Sequence, residues 1–141
     1  MENKETKIGV AQKAIIFRED GKILTMRRTE TAPTRPLGWD LPGGELEIGE
    51  DAKAGILREI KEETGLDVND LEVFDAFSGF NDVKEFWMTI CYTGSPASGK
   101  VVLSYEHDDS KWVTPDEFLK LHGISPRHIG FIEKFKNAKG L

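Results

Sequence analysis

Glu59, Glu62 and Glu63 are three carboxylates spaced at i, i+3 and i+4. On a helix advancing about 100° per residue these positions share one face. Like charges placed this way repel, at a cost of about a few tenths of a kcal/mol per pair in an isolated helix. Arg58, four residues before Glu62, reaches it and offsets part of that cost. A hard divalent cation is the most economical reason to keep such a face. Carboxylate oxygens suit Mg²⁺ or Mn²⁺, and Mg²⁺ tends to bind through a few carboxylates together with substrate phosphates. A solvated acidic helix face fits the glutamates alone equally well.

The elements around these residues must hold them in place. Pro42, Gly43 and Gly44 forbid regular structure just before them. From Glu50 to Thr64 nothing except Gly55 interrupts a helix, and Gly65 stands where a left-handed C-cap is wanted. The spacing puts Glu50 and Asp51 in the first turn, where the helix dipole favours negative charge. Ala52 and Gly55 lie on the carboxylate face and leave it open. Ile56, Leu57 and Ile60 make an apolar stripe beside it.

Residues 44–66 as a whole resemble the signature of the Nudix hydrolases, Gly-x5-Glu-x7-Arg-Glu-U-x-Glu-Glu-x-Gly-U, with U aliphatic. Gly44, Glu50, Arg58, Glu59, Ile60, Glu62, Glu63, Gly65 and Leu66 match it without departure. The run Trp39-Asp40-Leu41-Pro42-Gly43-Gly44 also resembles the usual lead-in of that family. The resemblance implies a Mg²⁺-dependent hydrolase, with Mn²⁺ able to substitute. Its substrate is a nucleoside diphosphate linked to a further group X, cleaved to a nucleoside monophosphate and phosphorylated X. It also implies an α/β/α sandwich with a central mixed β-sheet and a loop-helix-loop catalytic motif, here one domain over residues 1–141.

By the same resemblance Glu59, Glu62 and Glu63 ligate the metal, and the carbonyl of Gly43 adds a ligand. Arg58 orients or charge-balances a glutamate, and Glu50 supports the motif through a metal-bound water or an ion pair. The general base is Glu59 or Glu106, while Gly44 and Gly65 are structural. Arg27 and Arg28 end a strand, so at most one of them faces a site. In MutT-like members an arginine at the place of Arg28 helps hold the nucleotide, which favours Arg28 over Arg27. The arginine pair and Glu106 point to a nucleoside triphosphate as substrate. ADP-ribose hydrolases of the family carry a proline about sixteen residues past the motif, where this chain has Asp82; the motif of the NADH-cleaving group is also missing. Nucleotide sugars and dinucleoside polyphosphates stand as other substrates, and a catalytically silent nucleotide-binding module stands as the rival function.

Composition sets limits that agree. With 19 basic and 25 acidic residues the net charge is -6. Non-specific binding of a nucleic-acid polymer needs basic surface, so no such partner is expected. A polyphosphate would need local positive charge from a metal or a few arginines. The one cysteine, Cys91, permits no intramolecular disulfide and reads as a small buried hydrophobe. The longest apolar run near the N-terminus, Ala14 to Phe17, is too short for a signal sequence, and no run suits a membrane span. Cytoplasmic location, and a monomer or homodimer without a membrane partner, are the expectations.

Along the chain, residues 1–7 are polar and expected to fray. Ile8 to Phe17 and Ile23 to Met26 read as strands joined in a hairpin through Asp20-Gly21. Thr29 to Gly38 is a loop carrying Arg35, able to wall a substrate site. Trp39 reads as packed in the core or under the turn rather than stacked on a base. Leu71 to Phe80 reads as one or two strand segments, and residues 81–84 as a turn. Glu85 to Thr93 is a central strand covered on both faces. Gly94 to Gly99 reads as a loop, and Val101 to Leu103 and Lys111 to Val113 as short strands around an acidic loop. His107 is expected to be solvated or locally hydrogen-bonded. Helices start at Thr114-Pro115, ending at Gly123, and at Ser125-Pro126, with Ile129, Ile132 and Phe135 at helical spacing. His122 and His128 are expected on helix surfaces.

Overall fold

The structure, a computed structural model, describes residues 7–141. The expected fraying falls outside the described residues as far as residues 1–6 are concerned. The strands are β1 (Ile8–Ile16), β2 (Ile23–Arg28), β3 (Trp39–Asp40), β4 (Gly43–Glu45), β5 (Asp67–Phe80), β6 (Phe86–Ser98) and β7 (His107–Val113). The helices are α1 (Ala52–Thr64), α2 (Pro115–Leu119) and α3 (Pro126–Lys139). No helix among the described residues is long and apolar enough to cross a membrane.

Four strands form a mixed sheet in the order β4-β1-β6-β5, with β1 and β6 parallel and the other pairs antiparallel. Neighbouring residues of β1 feed opposite faces, as the period of a strand requires. Ala14 and Ile16 pack with Leu24, Ile56, Ile60, Leu66, Leu71 and Tyr92 beneath α1. Ile15 packs with Ile23, Leu41, Cys91, Val113, Phe118, Phe131, Ile132 and Phe135 on the side of α2 and α3. Helices thus cover both faces of the mixed sheet, which is the expected α/β/α arrangement. Cys91 is fully buried, as expected.

Several local expectations change. The Asp20-Gly21 turn forms, with Gly21 at φ +84°, but β1 and β2 share only the single bridge Phe17↔Ile23. Both edges of β1 are taken by β4 and β6, so β2 joins β3 and β7 in a second, three-stranded sheet. Residues 94–98 are strand, not loop: β6 continues past Gly94 and pairs with the first part of β5. Pro96, which cannot donate to a ladder, sits where the register of that pair shifts. Val101–Leu103 is not a strand. The Val102 amide donates to the Thr64 carbonyl at 2.9 Å and the Ser104 amide to that of Glu63 at 3.3 Å, so this segment caps the end of α1. The acidic loop is shorter than expected, because His107 already begins β7.

Helix α2 stops at Leu119, before Gly123. Gly123 is needed for a different reason: a Cβ there would stand 2.7 Å from the Gly38 Cα, so two backbones touch. Thr114 caps α2 in a reciprocal pair with Glu117, at 3.2 and 3.0 Å. Thr114→Ala should therefore lower stability by about 1 kcal/mol in urea denaturation, at an unchanged m-value. In α3, Ile132 and Phe135 are buried and Ile129 is half-buried. His122 is exposed but lies in the turn after α2, while His128 is buried in the first turn of α3, contrary to the surface position expected.

Candidate active site

The carboxylate face is built as a turn held against a helix. Asp51 is the N-cap of α1, its side chain accepting from the Ala54 amide at 2.9 Å. The expected first-turn placement of Glu50 and Asp51 is corrected by one step, since both precede the helix. Gly65 closes the helix in the left-handed region at φ 74°, as expected. Gln12 ties β1 to the helix start, donating to the Ala52 carbonyl at 3.1 Å and meeting the Tyr92 hydroxyl at 2.7 Å. Gly43 adopts φ +146°, and a Cβ there would lie 1.9 Å from the Gln12 carbonyl oxygen. Only glycine lets the turn sit this close to β1. A Cβ on Gly44 would be 2.7 Å from the Glu59 carboxyl carbon, so the second glycine leaves room for that side chain.

Two glutamates converge on this turn. Glu63 is 6% exposed and accepts the Gly43 amide at 3.3 Å. Burial pushes its pKa up to about 8, with Asp40 and Glu59 adding to the effect and Lys13 opposing it. Glu59 is also raised, by burial first, with Glu62 and Glu106 contributing and Arg58 opposing. Glu106 is exposed in the turn before β7, and its charge adds slightly to the raised pKa of Glu59. Glu62 is the most exposed of the three helix glutamates. Its carboxylate lies 3.1 Å from Arg58, which also holds Glu50 at 2.7 Å and Glu59 at 3.2 Å. Arg58 therefore gathers three of the acidic side chains, and its pKa is raised by Glu50 and Glu62.

Among the described residues no three His, Cys, Asp or Glu side chains stand ready-made around a cation. The cause is visible in the pairing, since Arg58 takes up Glu62 and part of Glu59. The donor chemistry nonetheless fits a hard divalent ion. A nearly buried carboxylate with one backbone amide partner, beside a second carboxylate of raised pKa, is short of positive charge.

The two arginines ending β2 separate as expected. Arg27 pairs with Asp108 at 2.8 Å. Arg28 donates to the Thr34 carbonyl at 2.8 Å and to Asp40 at 3.1 Å, pinning the loop of residues 29–38 to β3. Asp40 was not foreseen as a site residue. Burial alone would raise its pKa, yet Lys13, His128, Arg35 and Arg28 around it hold it well below the usual carboxylate range. Burial drives His128 itself down to about 3, so near neutrality it meets Asp40 uncharged and the three cations carry the effect. A charge inside the apolar strand β1, at Lys13, was the sequence signal that could have revealed this cluster.

His107 is also misplaced by the sequence reading. It is 7% exposed, and neither ring nitrogen has a hydrogen-bond partner. Burial lowers its pKa. Trp39 is buried, under the Lys111 ammonium at 4.8 Å, as expected of a packing residue.

Two cavities border the loop of residues 29–38. The smaller, about 160 Å³, is lined by Arg28, Ala32, Pro33, Tyr105, Glu106 and His107 among others. The larger, about 780 Å³, lies between that loop, the β5–β6 hairpin and the start of α3. Arg35, Phe77, Phe80 and Arg127 line it, and none of the helix glutamates does. Its link to them runs through Arg35, 3.4 Å from Asp40.

The NUDIX domain profile matches residues 7–135, nearly the whole described chain. The chain belongs to the NUDIX family. Members of this family are hydrolases acting on phosphoanhydride bonds and generally use divalent metal ions. This NUDIX chain is 32% identical over 108 residues to a MutT-like protein of Streptomyces ambofaciens, covering 77% of the chain and 65% of that relative. It is 26% identical over 122 residues to the CTP pyrophosphohydrolase of Escherichia coli K12, covering 86% and 87%. A crystal structure of a MutT protein from Methanosarcina mazei Go1 superposes with a TM-score of 0.80 at 29% identity, over 97% of this chain and 99% of that one. The agreement extends to the mixed sheet and its helices. The NUDIX chain thus spans about two thirds of the first relative and most of the other two.

Proposed function

We propose that this chain is a Mg²⁺-dependent pyrophosphohydrolase of nucleoside diphosphates linked to a group X, with nucleoside triphosphates foremost. The convergence of Glu59 and Glu63 on the Gly43–Gly44 turn carries the reading. Glu59, Glu62, Glu63 and the Gly43 carbonyl would hold the ion. When bound, it neutralises phosphate charge and lowers the pKa of attacking water. To join it Glu62 would have to leave Arg58, which would keep its pair with Glu50.

The chain's own residues supply the rest. Glu59, or Glu106 across the opening, takes the proton of a water attacking phosphorus. The raised pKa of Glu59 suits a base that must hold that proton. The phosphoanhydride bond breaks and the leaving phosphate keeps the electron pair. Arg28 stands beside the small cavity for the phosphate end. The large cleft has the volume of a small-molecule site and offers Phe77 and Phe80 to a nucleobase.

The test is Mg²⁺-dependent turnover over a panel of nucleoside triphosphates, oxidised nucleotides, nucleotide sugars, ADP-ribose and dinucleoside polyphosphates. At least one triphosphate should yield monophosphate and pyrophosphate. Binding of nucleotides with no turnover of any panel member would establish a silent binding module instead.

A further inference from the structure

The cluster around Asp40 has a charge imbalance that the hydrolytic step does not use. Asp40 Oδ2 lies 3.5 Å from Lys13 Nζ and 3.1 Å from an Arg28 nitrogen. Its Oδ1 lies 3.4 Å from an Arg35 nitrogen and 3.3 Å from His128 Nδ1. Three cations therefore share one carboxylate, and among the described ion pairs neither arginine has a second one. The exposure is lopsided as well. The Asp40 side chain is 2% exposed, whereas those of Lys13, Arg28 and Arg35 are 16%, 22% and 32% exposed. An anion arriving from solvent meets the cations and not the carboxylate behind them. Carboxylates stand nearby, Glu106 in the small cavity and Asp75 and Asp82 in the large one, so in a chain of net charge -6 the positive excess belongs to the Asp40 cluster itself.

The cations also lie in a useful order. Arg35 lines the large cleft and Arg28 the small cavity beside Glu106. Lys13 donates to the Leu41 carbonyl at 3.2 Å, next to the glycine turn. The loop accepts backbone strain to make this arc. Arg35 and Leu37 both sit in the left-handed region, at φ 44° and 61°, which side chains rarely adopt. Arg35 is then anchored by its bond to the Gly123 carbonyl at 2.7 Å.

We propose that Asp40 is a positioning residue that gathers Arg35, Arg28 and Lys13 into a cationic track for the phosphate chain of a nucleotide, running from the large cleft to the carboxylate face. The track selects for the number of phosphates, because each further phosphate meets a further cation. This rests on the hydrolase reading for its substrate but not for its geometry.

Asp40→Asn keeps the shape and removes the anion. It should raise KM for a triphosphate about ten-fold with kcat falling less than about three-fold, as expected for lost charged hydrogen bonds made in ground and transition states alike. In the Arg35→Gln background the same change should add less than about two-fold, because the group it positions is gone. Equal, multiplying effects in both backgrounds overturn the proposal, as does a loss of kcat at unchanged KM.

Should Asp40→Asn not fold, Arg28→Gln and Arg35→Gln decide the matter by calorimetry in chelator. Each should weaken binding of inorganic tripolyphosphate about ten-fold and leave binding of the bare nucleoside unchanged. Undiminished tripolyphosphate affinity overturns the track. If the parent protein hydrolyses no nucleotide yet binds tripolyphosphate through these arginines, the hydrolase reading fails and the track stands.

Discussion

Glu62→Gln lowers kcat by more than about 100-fold and leaves thermal stability unchanged, within about 2 °C. The two halves of this expectation have separate causes. Glu62 is 57% exposed, and its partner is Arg58 in an exposed i,i+4 pair. Pairs of that kind contribute at most about 1 kcal/mol, so the fold scarcely registers the loss. Arg58 remains tied to Glu50 at 2.7 Å and does not become an unpaired charge. Turnover is another matter, because glutamine offers a neutral oxygen where a divalent ion needs an anionic one. Steady-state kinetics at saturating Mg²⁺ together with a thermal melt give both readouts. Turnover like the parent's would remove Glu62 from the ligand set and leave it as a surface partner of Arg58.

Glu63 makes metal-free stability fall as pH rises from about 4.5 to about 8. Its folded pKa is raised from 4.5 to about 8 by burial. At this carboxyl the native state binds more protons than the unfolded chain across that window, so its contribution to the slope of unfolding free energy with pH is negative. His128 and His107, whose pKa values fall on folding, act in the opposite sense, and comparison with a Glu63 variant cancels them. The contribution is intact below the unfolded value and lost above the folded one. Its size is on the order of a few kcal/mol. Glu63→Gln resembles the protonated form at every pH. In chelator the variant should match its parent near pH 5 and exceed it in stability above pH 8, as urea melts at several pH values would show. Binding of Mn²⁺ by the parent near pH 7 should expel about one proton, seen as a calorimetric heat that varies with buffer ionisation enthalpy. A variant with the same pH slope as its parent would mean that Glu63 is ionised in the metal-free fold.

The build of the acidic helix face was readable because it is local. Glu59, Glu62 and Glu63 share a face by virtue of helical period alone, and Gly65 ends the helix by its own backbone freedom. The Arg58–Glu62 pair follows from the same spacing. The two apolar faces of β6, with Cys91 on one side and Tyr92 on the other, likewise foretell a strand covered on both faces. Pairing between distant segments was not readable. Whether β2 stays beside β1 depends on β4 and β6 having taken both edges of β1, which no stretch of β2 records. Val101–Leu103 looks like strand, yet its amides are claimed by the carbonyls ending α1. His107 and His128 look polar and exposed, yet both are buried. Asp40 draws its partners from β1, β2, a loop and α3, so its charge balance exists only once those four segments meet. Local dihedral preferences act within a turn or two of chain, whereas burial and ion pairing depend on which surfaces the assembled sheets leave free.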